Sequence, residues 1–192
     1  DQNHFDNEIF LWGDDLMVGG FKSFNATNLI VSKKLKDVIK NFKLPPHSVY
    51  RLELINYDDK NDIKEYFMIH IHNRLIDHAD YAKSEFKEYS TRTKEVFDIK
   101  TGVFTDVEDY LQNKLINRNN RIFMEFNKFV LKEDYDVIWG YGANLLISEK
   151  LKNAIEEAGI QKAVSIRPFK EFQIINKSEY DQYGVDTPHP IS

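Results

Sequence analysis

The chain has 192 residues, 42% of them hydrophobic and 14% aromatic, enough for one substantial core or two small lobes sharing one. Its formal net charge of −5 argues against a nucleic-acid binder, which needs a basic stripe to displace counterions from phosphates. The absence of cysteine excludes disulfides and thiolate metal sites, and no run approaches the ~20 apolar residues that a membrane-spanning helix requires.

The amino terminus, Asp1-Gln2-Asn3-His4, lacks the basic-then-apolar pattern of a secretory signal, so the cytoplasm is the expected compartment. It also lacks an initiator methionine, so native, trimmed and processed starts all stay open, and with a trimmed or processed one an address could have been lost. Glu8 to Trp12 reads as a strand ending at Gly13-Asp14-Asp15, and Gly19-Gly20 interrupts the next apolar stretch. Asn28 to Val31 then predicts a strand that enters a helix at Ser32. Leu35, Val38, Ile39 and Phe42 fall at i, i+3, i+4 and i+7, which puts them on one helical face. A serine oxygen at position 32 can accept from a free first-turn amide, and no Glu or Gln three residues later completes a capping box. Pro45-Pro46 is expected to close this helix.

From Ser48 to Tyr57 a strand is predicted, with Val49, Arg51 and Glu53 alternating against Tyr50, Leu52 and Leu54. The polar stretch Asp58 to Lys64 returns it as Tyr66 to His72, a hairpin with a loop longer than two residues. Asn73 to Thr93 reads as loops and an irregular crossing. Glu95 to Lys100 predicts a strand, and Thr105 or Asp106 caps a helix to Asn117 with Val107, Tyr110, Leu111 and Leu115 as its apolar stripe. Arg121 to Phe126 and Phe129 to Leu131 read as strands on either side of Asn127.

Asn144 to Ile155 then repeats Asn28 to Ile39 at an offset of 116 residues, with seven of twelve positions identical. Ser148 takes the capping position, Leu151, Ala154, Ile155 and Ala158 the apolar face, and Gly159 a left-handed stop. Lys162 to Phe172 is the strand after it. From about 175 to 192 the chain is polar and ends Thr187-Pro188-His189-Pro190, a tail expected to be poorly tied down. Two copies do not make a solenoid. The expected fold is a single α+β domain over 1–192, its sheet mostly antiparallel and flanked by helices. Its strand-helix-strand pseudo-repeat units span about 27–57 and 143–172.

The two repeated serines could be nucleophiles or phosphate ligands, but serine at a helix start is favoured there for local reasons alone. His70 and His72 lie two apart on a strand and so on one face, where they could share a metal with Asp77 as a further ligand. The same alternation places Phe67, Ile69 and Ile71 on the other face, as any half-buried strand would, and the expectation is no metal. A metal-dependent enzyme using His70, His72 and Asp77 is the alternative. Gly140-Tyr141-Gly142 has the glycine spacing of a phosphate loop, yet lacks the third glycine and precedes a strand, so it reads as a turn. With no cysteine and no Gly-x-Ser-x-Gly elbow, no catalytic residue and no cofactor is assigned.

Acidic residues recur in small groups: Asp14-Asp15; Asp58-Asp59 with Asp62 and Glu65; Asp106 with Glu108-Asp109; Glu133-Asp134 with Asp136. Singly they suit solvated loops and helix starts. Together they suit a basic protein partner, with Asp58, Asp59 and Asp62 as candidate contacts.

Three segments carry a resemblance to a known family. They are Asn28-Leu29-Ile30-Val31-Ser32-Lys33-Lys34-Leu35, its near-copy Leu145 to Leu151 downstream of Arg121-Ile122-Phe123, and Tyr66 to Ile71 followed by Leu75-Ile76-Asp77-His78-Ala79-Asp80. Over roughly Asp15 to Phe172 the chain resembles the eleventh-numbered class of immunity proteins of bacterial polymorphic toxin systems, formerly catalogued as a domain of unknown function. The resemblance implies a non-enzymatic inhibitor that binds a toxin encoded by a neighbouring gene. It assigns no role to the His-x-His pair. A toxin secretion adaptor is the remaining alternative.

Overall fold

The computed structural model of the chain describes residues 7–10, 16–18, 28–55, 61–72, 74–139, 145–160, 165–168 and 172–184. The first elements are β1 (Asn7–Phe10), β2 (Leu16–Val18), β3 (Asn28–Ser32), α1 (Lys33–Ile39), β4 (His47–Ile55) and β5 (Ile63–Ile71). A 3-10 turn, Leu75–His78, precedes β6 (Glu85–Ser90), β7 (Val96–Thr101), α2 (Val107–Asn119) and β8 (Ile122–Val130). The remainder is β9 (Val137–Trp139), β10 (Leu145–Ile147), α3 (Glu149–Glu157), β11 (Ser165–Pro168), β12 (Gln173–Ile175) and α4 (Lys177–Tyr183). The fold is α+β. Among the described residues three four-stranded sheets are antiparallel throughout except where β12 runs parallel to β8. The chain divides into two compact units.

The unit that bears the repeat holds two of the sheets, in the orders β2-β3-β5-β4 and β9-β10-β1-β11. These orders match strand for strand. In each copy a strand leads through its helix to a second strand running the same way, and a third strand lies antiparallel between them. The inserted strand is β5 in the first sheet, from just after the copy, and β1 in the second, from the start of the chain. Repetition in sequence therefore covers only the strand-helix-strand part of a larger repeated topology.

Both serines cap their helices: Leu35 N–H donates to Ser32 Oγ at 3.1 Å, and Leu151 N–H to Ser148 Oγ at 3.2 Å. The helices bury Leu35 and Ile39 in one copy, Leu151 and Ile155 in the other. These four join Leu29, Val31, Phe67, Ile69 and Ile71 with Val137, Trp139, Leu145, Ile147 and Ile160 in one core. Val38, on the same predicted face, packs half-buried against it, and Ala154 is half-buried.

The two helices stop differently. α3 ends in a Schellman arrangement: Gly159 N–H donates to Glu156 O at 2.9 Å, Ile160 N–H to Ile155 O at 3.2 Å, and Gly159 has φ +68°. α1 ends at Lys40 in right-handed conformation, before Pro45-Pro46 is reached, so the prolines do not close it.

The other unit packs aromatic side chains beneath the sheet β12-β8-β6-β7. Phe86 meets Phe104 edge to face at 4.7 Å between centroids and Phe126 at 4.8 Å, while Tyr110 from α2 lies 5.3 Å from Phe126. β6 lies in the stretch expected to be irregular. Its inward residues are Phe86 and Glu88, at the spacing of a strand, but Glu88 is charged; the bulge opposite Glu85/Phe86 puts its extra residue, Asn127, on β8. β8 runs unbroken through Asn127, whose side-chain amide donates to Glu85 Oε2 on β6 at 3.0 Å.

α2 corrects the expected stripe. Asp106 caps it, its Oδ1 accepting from Glu108 N–H at 2.9 Å and Asp109 N–H at 3.0 Å. Tyr110 is buried, yet Leu111 is 41% and Leu115 61% exposed. Tyr110 and Leu115 lie about 140° apart on a helix at ~100° per residue, so one face cannot bury both. The helix turns Tyr110 and Asn117 inward, where Asn117 Nδ2 donates to buried Glu88 Oε1 at 2.8 Å.

The carboxyl-terminal stretch also departs from expectation. Residues 177–183 form α4, held by Glu179 Oε2 accepting from Asn176 N–H at 3.0 Å and by Asp134 Oδ1 accepting from Ser178 N–H at 2.9 Å. Lys83 reaches Asp181 at 3.3 Å. Residues beyond 184 lie outside those described.

Candidate functional site

β5 carries the histidine pair as alternation predicts, with Phe67, Ile69 and Ile71 on the core side and His70 and His72 on the other. Strand register sets Asn28 of β3 and Ser48 of β4 on either side of His70. His70 Nδ1 lies 2.7 Å from Asn28 Oδ1, within hydrogen-bond distance. His72 Nε2 lies 2.9 Å from Ser48 Oγ, and the two rings are 5.3 Å apart. Among the described residues no three His, Cys, Asp or Glu side chains are grouped to hold a metal ion, so His70, His72 and Asp77 do not assemble as a ligand set. Asp77 sits in the 3-10 turn.

His78, next to Asp77, is buried, and burial holds its imidazole below the ordinary value of 6.5; Lys132 adds to the depression, Asp77 and Glu133 oppose it. The folded chain thus prefers neutral His78, and the unfolded chain takes up the proton first on acidification. This contribution to stability is full above pH ~6.5 and is lost as pH falls through the depressed folded value. The urea midpoint of the wild type should fall between pH ~7.5 and ~5 more steeply than that of His78→Gln. Equal slopes would remove His78 as a source of acid sensitivity.

The acidic groups separate by their partners. Asp106 caps α2, and Asp109 holds Asn113 Nδ2 at 2.8 Å. Asp134 holds the start of α4, while Asp136 receives Ser148 Oγ at 2.8 Å and Lys43 N–H at 2.9 Å. These carboxylates bind the chain to itself. β4 and β5 form an extended ribbon, on which Glu65 of the remaining group meets Arg51. Asp62 stands directly before β5, half-buried; Asp58 and Asp59 lie outside the described residues, as do Asp14-Asp15 and the Gly140-Tyr141-Gly142 turn.

That ribbon is more exposed than its alternation suggested. Val49, Tyr50 and Ile55 of β4 and Ile63 of β5 are each about half exposed, Tyr50 at 50% and Ile55 at 60%. Arg51 Nε contacts Glu65 Oε1 at 2.6 Å and its guanidinium approaches Glu53 Oε1 at 3.6 Å, relieving the repulsion of two glutamates directly opposite in register. The legible signal was apolar residues on both strand faces, Val49 and Ile55 against Tyr50 and Leu52, where a half-buried strand keeps them on one.

No helix among the described residues is long and apolar enough to cross a membrane. Comparison with protein-family models, with curated proteins and with solved structures finds no match.

Proposed function

We propose that this chain is an immunity protein: a non-enzymatic, cytoplasmic inhibitor that binds and neutralises a toxin encoded by a neighbouring gene. The resemblance over roughly Asp15 to Phe172 motivates the reading. The observation that carries it is the β4–β5 hairpin, whose exposed Ile55 and Ile63 flank in sequence the acidic stretch Asp58, Asp59 and Asp62. Such a surface suits a basic protein partner, since complementary charge speeds encounter. The two repeated serines are occupied as helix caps.

Co-expression with the neighbouring toxin in a sensitive host is the test. Survival with this protein and death without it are expected. Association should slow as salt rises, because screening at ~0.15 M already limits the reach of charge to ~8 Å. Replacing Asp58, Asp59 and Asp62 by Asn should reduce the association rate more than it raises the dissociation rate. Soluble protein that forms the complex yet fails to rescue growth would favour a secretion adaptor; no complex at all would falsify the assignment.

A further inference from the structure

The first sheet ends on one of its longest strands. Among the described residues β4 is the terminal strand, nine residues long, with no proline inside it after Pro45-Pro46. Long apolar edges without proline or bulge invite strand pairing, and a terminal position leaves one side of the backbone unpaired. His72 N–H donates to Pro46 O in continuation of the β4–β5 register. In an antiparallel ladder the bonded residues alternate, so the even-numbered residues of β4 bond to β5. The N–H and C=O groups of Val49, Arg51, Glu53 and Ile55 therefore point outward.

We propose that a second copy of this chain occupies that edge, its β4 running antiparallel to the first about a two-fold axis at Leu52. In this register Arg51 faces Glu53 of the second copy, and Glu53 faces its Arg51. Val49 faces Ile55, Tyr50 faces Leu54, and Leu52 faces Leu52. Each of these pairs, over Val49 to Ile55, is complementary in charge or apolar on both sides, which is the pairing that stabilises sheets. Shifting the axis to Arg51 would set arginine against arginine. The outward groups would close about eight backbone hydrogen bonds.

Arg51 and Glu53 have side chains 65% and 61% exposed, so both can be reached by a second copy. The other long edge, β7, is less suited. A bulge between Glu88 and Tyr89 breaks its register, and Lys100 is held inward by Glu88 at 2.9 Å.

Sedimentation velocity across a concentration series, with the protein alone, tests the proposal without any toxin. A monomer–dimer equilibrium is expected. Arg51→Glu or Glu53→Arg alone should weaken it about tenfold or more, because two attractive pairs become repulsive. The double variant R51E/E53R should restore it, and R51E mixed with E53R should form a heterodimer tighter than either homodimer. Asp98→Lys on β7 should leave the equilibrium unchanged. Val49→Pro, at an outward N–H, should abolish pairing while circular dichroism shows the fold retained. A monomer at all concentrations, or a dimer indifferent to the charge exchange, overturns the proposal. Protection of β4 amides from hydrogen exchange only after toxin is added also overturns it, and gives the edge to the toxin.

Discussion

Leu151→Ala should lower the free energy of unfolding by ~2–5 kcal/mol, and Leu35→Ala by a comparable amount. Leu35 is fully buried and Leu151 1% exposed, and both lie in the core shared by the two sheets of the repeat-bearing unit. Truncation removes the transfer free energy of the lost methyl and methylene groups and leaves a cavity lined by side chains that strand pairing holds in place. Neither leucine sits at the helix margin, where partial collapse would soften the loss. Urea denaturation followed by circular dichroism measures the effect, with the midpoint falling at unchanged slope. A loss under ~0.5 kcal/mol at both positions, the range of surface substitutions, would contradict the packing of the repeat.

Phe126→Ala should cost ~3–5 kcal/mol in the other unit, while Leu115→Ala should change stability by no more than ~0.5 kcal/mol. Phe126 is 1% exposed and its ring meets those of Tyr81, Phe86, Tyr110, Phe129 and Phe172. Leu115 is 61% exposed on the outer side of α2. The contrast measures how α2 is rotated. If Leu115→Ala were as harmful as Phe126→Ala, the stripe read from sequence would be the buried one and the inward placement of Asn117 would be wrong. Asn117→Leu discriminates further, because it leaves buried Glu88 without one of its donors.

Elements with one dominant signal were legible in sequence. α1 and α3 combine a serine cap with a clean apolar period, and each signal is local, needing only the residues of its own turn. β5 was legible through alternation, because one face meets the core and the other does not. α2 was placed correctly in the chain and rotated wrongly. Its apolar residues spread around more than half the helix, so propensity specified a helix without specifying a face. β6 escaped because Glu88 is a charged residue buried by Lys100 and Asn117, and neither partner is adjacent to it in sequence.

The candidate site divides in the same way. That His70 and His72 share a face follows from a period of two, and the sequence alone determines it. What each imidazole touches does not. Asn28 lies 42 residues from His70 and Ser48 lies 24 from His72, and strand register alone brings them within hydrogen-bond distance. Register likewise sets Glu53 opposite Glu65 and makes β4 an edge.

By itself the sequence determined the α+β class, the duplication, both serine caps and the inward leucines, all of which depend on contacts within a few residues. Only the tertiary structure decided that each copy takes a third strand between its own two, once from β5 and once from β1. It also decided that Asp106, Asp109, Asp134 and Asp136 are engaged within the fold. The reason is physical. Cap and period energies act over one or two turns, whereas strand order and the exposure of an edge are settled by backbone hydrogen bonds between segments far apart in the chain, about which local residue pattern carries no information.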